Sequence, residues 1–311
     1  MKTAGQPTGG GRRREIHRSG VVAITGRTNV GKSTLLNRIL GQKLSIVSPK
    51  AQTTRQRVLG ILTRPEFQIV FVDTPGVIQP DNMLQEHMIQ ASFKAVSGAD
   101  LSVLIVEATL EGHPDDRLLV ERLSMFKGPR ILAINKIDLV PKKNLLPQIK
   151  EYNQSGLFEV IIPVSALLGD GVNALVGEIV NHLPEGPALY SEDQIAVQPM
   201  RFFASELIRE TLYELLHEEL PYATAVKIDE YKERPGQKTY IRALIYAERE
   251  SQKGIIIGRR GEMLKRIGES ARAKIEELVG EQIYLDLWVK VKEKWSKNES
   301  FLNMVGYKKD N

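Results

Sequence analysis

The chain has 311 residues, of which 42% are hydrophobic and 26% charged, and its formal net charge is +5. It contains no cysteine, which excludes disulfide bonds and thiolate metal sites and suits a reducing, cytoplasmic compartment. No apolar run approaches the ~18 residues that a membrane span needs, and the polar N-terminus does not resemble a secretory signal.

Residues 1–15 are rich in glycine and arginine, and we interpret them as a disordered basic arm. Between residues 16 and 184, short β-branched runs alternate with helical patterns. This alternation predicts an α/β domain whose mostly parallel sheet is covered by helices on both faces. The predicted strands are 18–25, 58–63, 67–73, 101–107, 130–135 and 160–164. The predicted helices are 31–40, 83–97, 115–126, 145–153 and 171–181.

The segment from Gly26 to Ser33 fits the phosphate-binding pattern G-x-x-x-x-G-K-[ST] and stands between a predicted strand and a predicted helix. Its glycines allow a tight turn whose backbone N–H groups face anionic oxygens, and the helix N-terminus adds partial positive charge. Lys32 can reach the β- and γ-phosphates of a nucleotide, and the Ser33 hydroxyl can ligate Mg²⁺. The predicted nucleotide contacts here are Gly26, Arg27, Thr28, Asn29, Val30, Gly31, Lys32, Ser33 and Thr34.

A threonine pair, Thr53 and Thr54, lies in the loop that precedes the second predicted strand. A threonine at this place can complete the Mg²⁺ shell when a γ-phosphate is present, and it thereby orders the loop. We expect Thr54 to have this role. An ordinary surface loop is the alternative.

The next nucleotide motif, from Asp73 to Gly76, closes the apolar strand 67–73. Asp73 can hold Mg²⁺ through its water shell, and the N–H of Gly76 can reach a γ-phosphate without a side chain in the way. The predicted metal ligands are therefore Ser33, Thr54 and Asp73, and the predicted catalytic set is Lys32, Thr54 and Gly76. The predicted nucleotide contacts of this motif are Asp73, Thr74, Pro75 and Gly76.

The segment from Asn135 to Asp138 follows another predicted strand and points to guanine. Guanine presents two adjacent donors, at N1 and N2, and one carboxylate, here Asp138, can accept both. Adenine has an acceptor at N1 and would leave that carboxylate facing a lone pair. Asn135 and Lys136 would brace the base pocket. After the strand 160–164, a backbone N–H for guanine O6 is expected among Ser165, Ala166 and Leu167.

A proline- and glycine-rich stretch at 183–187 predicts the end of the first domain near residue 184, followed by a linker over 185–198. The sequence pattern of residues 199–311 then predicts a smaller α+β domain. Its expected elements are a helix at 199–219, hairpin strands at 222–231 and 238–247, a helix–turn–helix unit at 251–279, a strand at 282–292 and a helix at 295–304. We expect Trp288 to pack under the final helix, with base stacking as the alternative, and Trp295 to belong to the core.

The turn of the helix–turn–helix unit has the pattern G-x-x-G, from Gly258 to Gly261. Two glycines allow a nucleic-acid backbone to approach, and the two arginines between them offer phosphate contacts. A plain helix–helix turn has the same spacing, and a protein-interaction module is the alternative function. The predicted RNA contacts are Ile257, Gly258, Arg259, Arg260, Gly261, Lys265, Arg266, Lys290 and Lys292.

In their order, the nucleotide motifs and the domain after them resemble the Era GTPase family over about residues 16–305. The C-terminal order of elements is similar to a KH domain of the prokaryotic type, type II. The resemblance implies a P-loop GTPase that binds GTP and GDP with Mg²⁺. It also implies binding of small-subunit ribosomal RNA near its 3′ end during assembly of the small ribosomal subunit. We expect a monomer, and a peripheral association of the basic arm with the cytoplasmic membrane, as in a signalling GTPase, is a further alternative.

Val77 follows Gly76, at the position where many GTPases have a glutamine that orients the attacking water. A valine cannot hydrogen-bond water, and this departure resembles the subfamily to which Era belongs, so we expect slow intrinsic hydrolysis. Asn29 is similar to its counterpart in relatives that recruit K⁺ beside the phosphates, which implies a K⁺ site. Coupling between the domains is expected to run through residues 41–57 and 73–90.

Overall fold

The computed structural model describes residues 17–48, 50, 52–77, 80–109, 113–233 and 236–307. The expected basic arm, 1–15, lies outside the described residues. Within them, two sheets form the centres of two domains. We retain 16–184, 185–198 and 199–311 as the proposed division of the chain into GTPase domain, linker and C-terminal domain.

The first domain is built on a six-stranded sheet in the order β2-β3-β1-β4-β5-β6. The strands are β1 (Arg18–Thr25), β2 (Val58–Arg64), β3 (Phe67–Asp73), β4 (Leu101–Glu107), β5 (Arg130–Asn135) and β6 (Val160–Pro163). All neighbouring strands are parallel except β2 and β3. Because Ile24 pairs with Asp73 and Glu107 with Asn135, the carboxyl ends of the parallel strands lie along one edge.

Helices cover both faces of this sheet, which confirms the predicted fold class. They are α1 (Lys32–Leu40), α2 (Met83–Ser97), α3 (Pro114–Leu123), α4 (Leu145–Gln154) and α5 (Val172–His182). On one face, α1 and α5 pack through Leu36 and Leu175 against Ile24. On the other face, α2, α3 and α4 pack in a cluster that includes Leu119 and Leu104. Successive strand residues alternate between the two cores, as the pleat requires.

The second domain contains α6 (Met200–Leu215), β7 (Ala225–Lys232), β8 (Thr239–Ala247), α7 (Glu250–Ile257), α8 (Glu262–Val279), β9 (Ile283–Val291) and α9 (Glu299–Met304). Its sheet has the order β7-β8-β9, with β7 antiparallel and β9 parallel to β8. The apolar sides of α6, α7 and α8 pack on one face, where Ile208, Ile256 and Ile267 are buried. This arrangement agrees with the predicted order of elements.

Two predicted boundaries of the second domain are wrong. The helix expected to end at 219 ends at Leu215, because Leu216 is extended and Pro221 follows closely. The final helix does not begin at 295. Residues Trp295–Lys297 form a separate turn of 3-10 helix, and Asn298 caps α9 by accepting a hydrogen bond from the N–H of Phe301 at 2.9 Å.

The two tryptophans have opposite environments. Trp295 is fully buried, donates from Nε1 to the carbonyl of Ala223 at 2.9 Å, and so belongs to the core as predicted. Trp288 is 55% exposed and donates to Asp286 at 3.0 Å, so the expectation that it packs under the final helix is wrong. The alternation of side chains along β9 correctly identifies the face of the sheet on which Trp288 lies. The final helix α9, however, covers Tyr246 on the neighbouring strand and not Trp288.

The residues between the domains lie along the edge of the first sheet. The Gln68 side chain bonds to the backbone of Leu189 and Tyr190, and the N–H of Ile61 donates to the carbonyl of Ile195 at 2.9 Å. This connection covers the outer strand β2 and restricts the relative position of the domains. Among the described residues, we find no helix with the length and apolar character needed to cross a membrane.

Replacement of the two tryptophans should have unequal effects on stability. Trp295→Ala is expected to lower the free energy of unfolding by about 3–5 kcal/mol, because it leaves a large cavity. Trp288→Ala is expected to change it by less than about 0.5 kcal/mol, because the ring is mostly in solvent. Urea unfolding followed by circular dichroism measures both. Equal losses in the two variants would contradict the assigned environments.

Candidate functional site

A cavity of about 440 Å³ opens at the carboxyl edge of the six-stranded sheet. Most of the predicted nucleotide contacts lie in its wall. They are Thr28, Asn29, Gly31, Lys32, Ser33, Thr34, Thr54, Gly76, Asn135, Lys136, Asp138, Ala166 and Leu167, together with Thr53. The other predicted contacts are not among the residues that line the cavity, namely Gly26, Arg27, Val30, Asp73, Thr74, Pro75 and Ser165. Among these, the hydroxyl of Thr74 donates to the carbonyl of Ile24 at 2.8 Å, and the carbonyl of Pro75 accepts from Ser92 at 2.8 Å.

The phosphate loop is closed by Lys32. Its ammonium group donates to the carbonyl of Gly26 at 3.0 Å and to that of Arg27 at 2.7 Å. Gly31 has φ 99°, and a Cβ there would lie 2.3 Å from Nδ2 of Asn135, so only glycine fits. Burial lowers the pKa of Lys32 to about 8, against the opposing charge of Asp73. The loop therefore holds a buried cation close to where phosphates would lie.

Three oxygen-bearing side chains from three segments meet beside this lysine. The Ser33 hydroxyl donates to Oδ2 of Asp73 at 2.7 Å and lies 2.9 Å from Oγ1 of Thr54. Burial raises the pKa of Asp73, and the charge of Lys32 opposes that shift. Within the described part of the chain, Oδ1 of Asp73 is buried without a hydrogen-bond partner. An all-oxygen set with one carboxylate and one unsatisfied oxygen suits a hard cation such as Mg²⁺.

Gly76 approaches the phosphate loop closely. A Cβ on it would lie 2.8 Å from the backbone N of Thr28, so a side chain would displace the loop. Its neighbour Val77 donates from N–H to the carbonyl of Gly26 at 3.3 Å, and its side chain is buried in the core under α2, α3 and α4. The Val77 side chain is thus directed away from the cavity.

Asn135 joins the segments around the opposite end of the cavity. Its amide donates to the carbonyl of Val30 at 2.7 Å and accepts from the N–H of Ala166 at 2.9 Å. Asp138 lies at the same end, in a short 3-10 turn, Ile137–Leu139. A carboxylate and a backbone N–H at this end have the polarity that the edge of guanine requires.

Two acidic residues that the sequence motifs do not contain also shape the site. Glu107 accepts from Arg27 at 2.9 Å and from Lys136 at 3.1 Å, while Asp116 lies 3.4 Å from Nε of Arg27. Burial raises the pKa of Asp116, and the charge of Arg27 opposes that shift. Glu107 is the last residue of β4, and this position at the end of a strand was the one feature of the sequence that could have identified it as part of the site. The wall also includes Ile46, Val47, Ser48, Gln52 and Leu139, which the motifs do not contain.

The G-x-x-G turn of the second domain joins α7 to α8. Gly258 has φ 73°, and a Cβ on it would lie 2.7 Å from Cβ of Met263. Arg259 and Arg260 are exposed, and among the described residues neither guanidinium has an ion-pair partner. The other predicted contacts vary in exposure: Lys265, Arg266, Lys290 and Lys292 are exposed, whereas Ile257, Gly258 and Gly261 are half-buried.

Residues 21–136 match the family of 50S ribosome-binding GTPases, and residues 219–296 match the KH domain. The chain is similar to GTPase Era of Lacticaseibacillus paracasei, with 47% identity over 94% of this chain and 97% of the relative. GTPase Era of Thermoanaerobacter sp. is 45% identical over 94% of this chain and 97% of its own length.

Two solved structures are similar over almost the whole chain. One is a variant Era of Aquifex aeolicus bound to GDP and AlF4⁻, with TM-score 0.89 and 41% identity. The other is Era in complex with MgGDPNP and nucleotides 1506–1542 of 16S ribosomal RNA, with TM-score 0.90 and 41% identity. Each match covers 94% of this chain and 99% of the solved one.

Nucleotide affinity should depend on the protonation of Lys32. The nucleotide-free protein loses this charge as pH rises through about 8, whereas bound phosphates favour the protonated amine. GDP affinity is therefore expected to be constant below about pH 7 and to fall by up to about tenfold per pH unit between about pH 8 and 10. Titration with fluorescent GDP at fixed salt measures this. An affinity that stays constant to about pH 10 would contradict the assigned pKa.

Proposed function

The chain belongs to the Era family of GTPases, and on that premise we propose that it couples GTP hydrolysis to recognition of small-subunit ribosomal RNA near its 3′ end. It is a GTPase with a C-terminal KH domain. The observation that carries the proposal is its likeness, over almost the whole chain, to the Era structure that holds MgGDPNP and 16S ribosomal RNA. The process we infer is assembly of the small ribosomal subunit.

In the proposed hydrolysis, the residues around the phosphate loop position and neutralise the γ-phosphate. Lys32 contacts the β- and γ-phosphates, and the N–H of Gly76 donates to a γ-phosphate oxygen. Ser33, Thr54 and Asp73 would hold Mg²⁺, which neutralises charge on the phosphate oxygens when it is bound. The chain's own contribution is electrostatic, because the transferred group needs positioning and charge stabilisation more than covalent chemistry.

The proposed base selection depends on a hydrogen-bond pattern. Asp138 accepts from N1 and N2 of guanine, and a backbone N–H of the turn 165–167 donates to O6. Asn135 anchors this turn by accepting a hydrogen bond from the N–H of Ala166. Adenine would cover the Asp138 carboxylate without offering it donors, which is costly and accounts for the preference.

The proposed RNA surface is the exposed part of the G-x-x-G turn and the start of α8. Arg259 and Arg260 can contact phosphates on a stretch of about four nucleotides, which is the length that a KH groove clamps. Lys265 and Arg266 extend the positive charge along the helix. We propose that the protein acts as a monomer in the cytoplasm, where ribosomes assemble.

We infer slow intrinsic hydrolysis, because the buried Val77 offers no group to orient water. K⁺ is proposed to assist at Asn29, which lines the cavity with φ 62°. Replacing K⁺ with Na⁺ at constant ionic strength is expected to slow single-turnover hydrolysis severalfold without changing GDP affinity. Asn29→Gly keeps the left-handed backbone but removes the side-chain amide. This variant should therefore hydrolyse GTP at the same rate in K⁺ as in Na⁺. Equal turnover in K⁺ and Na⁺ for the unaltered protein would contradict the K⁺ proposal.

Charge reversal at the turn tests RNA recognition. Arg259→Glu with Arg260→Glu is expected to weaken binding of an oligonucleotide from the 3′ end of small-subunit ribosomal RNA by more than about tenfold. The slope of log affinity against log salt should also fall by about 1–2. Fluorescence anisotropy measures both quantities.

The matched control is Lys142→Glu with Lys143→Glu, which reverses two adjacent exposed cations on the GTPase domain. This control should keep RNA affinity within about threefold, because long-range charge effects are largely screened at physiological salt. GDP affinity should be unchanged in the Arg259 and Arg260 variant. RNA affinity that survives reversal at the turn would favour a protein-interaction role for the second domain.

A further inference from the structure

The loop that carries Thr54 is held by the second domain at several points. We call the described residues of the range 43–57 the Thr54 loop. At its start, Lys43 donates to Oε2 of Glu210 on α6 at 2.7 Å, and the N–H of Val47 donates to Oε1 at 3.1 Å. Glu210 also accepts from Lys274 of α8 at 3.1 Å. One buried carboxylate thus binds the loop and the helix that follows the G-x-x-G turn.

The charge of Glu210 is maintained by these contacts. Burial alone would raise its pKa, but the hydrogen bond from Lys43 and the charge of Lys274 hold the pKa below its usual range. A buried carboxylate that stays ionised would be destabilised if either amine left. Release of the loop start from α6 is therefore unfavourable while the second domain stays in place.

A second contact lies at the end of α6. The ammonium group of Lys50 donates to the carbonyls of Tyr213 and Leu216. Carbonyl groups in the last turn of a helix lack partners within the helix and carry partial negative charge, so a cation is favoured there. The middle of the Thr54 loop is thus bound to the same helix as its start.

The third contact immediately follows Thr54. The guanidinium of Arg55 is buried in the second domain, donating to the carbonyl of Thr224 at 2.7 Å and to the hydroxyl of Tyr213 at 3.0 Å. It also donates to the carbonyl of Tyr222 at 3.0 Å and lies 5.7 Å from the centroid of the Trp295 ring. Because adjacent Cα atoms are about 3.8 Å apart, Thr54 cannot move far from Ser33 unless Arg55 also moves.

We propose that α6, through Glu210 and Tyr213, is a positioning element for the GTP site that holds Thr54 beside Ser33, where it would complete the Mg²⁺ shell, before nucleotide binds. An already ordered loop lowers the entropy lost when GTP and Mg²⁺ engage Thr54. GDP has no γ-phosphate, so its affinity should not depend on these contacts. The second domain would thereby set the preference for GTP over GDP and the rate of hydrolysis. This inference depends on the GTPase activity but not on the proposed RNA binding.

The test compares two carboxylates on one helix. Glu210→Gln removes the charge that binds the Thr54 loop, while Glu214→Gln is the control, since Glu214 also binds Lys274, at 2.6 Å, but does not contact the loop. For Glu210→Gln we expect affinity for a non-hydrolysable GTP analogue with Mg²⁺ to fall about tenfold, with GDP affinity unchanged. The single-turnover rate should fall as well. Glu214→Gln should keep the affinities and the rate of the unaltered protein.

A second variant provides an independent test in case Glu210→Gln does not fold by circular dichroism. Tyr213→Phe removes the hydroxyl that accepts a hydrogen bond from Arg55. It should lower the ratio of the affinity for the GTP analogue to the affinity for GDP severalfold. If folded variants keep the unaltered ratio and rate, the positioning role of α6 is wrong. Loss of GDP affinity in parallel with analogue affinity would also overturn it, because that result indicates general damage to the site. RNA titrations of the same variants are independent, so failure of the RNA proposal is distinguishable.

Discussion

The 2.9 Å approach of the Thr54 hydroxyl to Ser33 depends on the way the second domain holds the loop that carries Thr54. Ser33 is fixed by the phosphate loop and α1, and Asp73 is fixed by β3. Thr54 belongs to no helix or strand, so its own segment cannot hold it at the proposed metal site. Its place is determined by the neighbouring Arg55, which is buried in the second domain. The nucleotide site is therefore completed by residues that bind no nucleotide.

The segment after β3, which is also proposed to respond to the γ-phosphate, likewise contacts the C-terminal domain. The helix α2 follows the motif from Asp73 to Gly76, and its residues Leu84 and Met88 pack in one cluster with Trp295 and Phe301. Both segments that would respond to a γ-phosphate therefore contact residues between 199 and 307. A change in either segment alters the surface on which the second domain rests. These contacts give the proposed route of coupling through 41–57 and 73–90 a physical basis.

Local pattern was sufficient to predict most of the fold and much of the candidate site. Strand–helix alternation and the phosphate-loop spacing depend on neighbouring residues, and these elements lie where they were expected. Glu107, Asp116 and Glu210 escaped prediction because their roles depend on partners distant in the chain. Trp288 was placed wrongly for a similar reason, since alternation shows the face of a sheet but not which part of that face a later helix covers.

The central claim is that the γ-phosphate and the RNA surface of the second domain are coupled through the Thr54 loop. The most direct test is a titration of an oligonucleotide from the 3′ end of small-subunit ribosomal RNA at fixed salt. It is made first with GDP bound and then with a non-hydrolysable GTP analogue. Because coupling between two ligands is reciprocal, the account predicts different affinities, with tighter binding in the analogue state. Equal, sequence-specific affinity in the two states would contradict it.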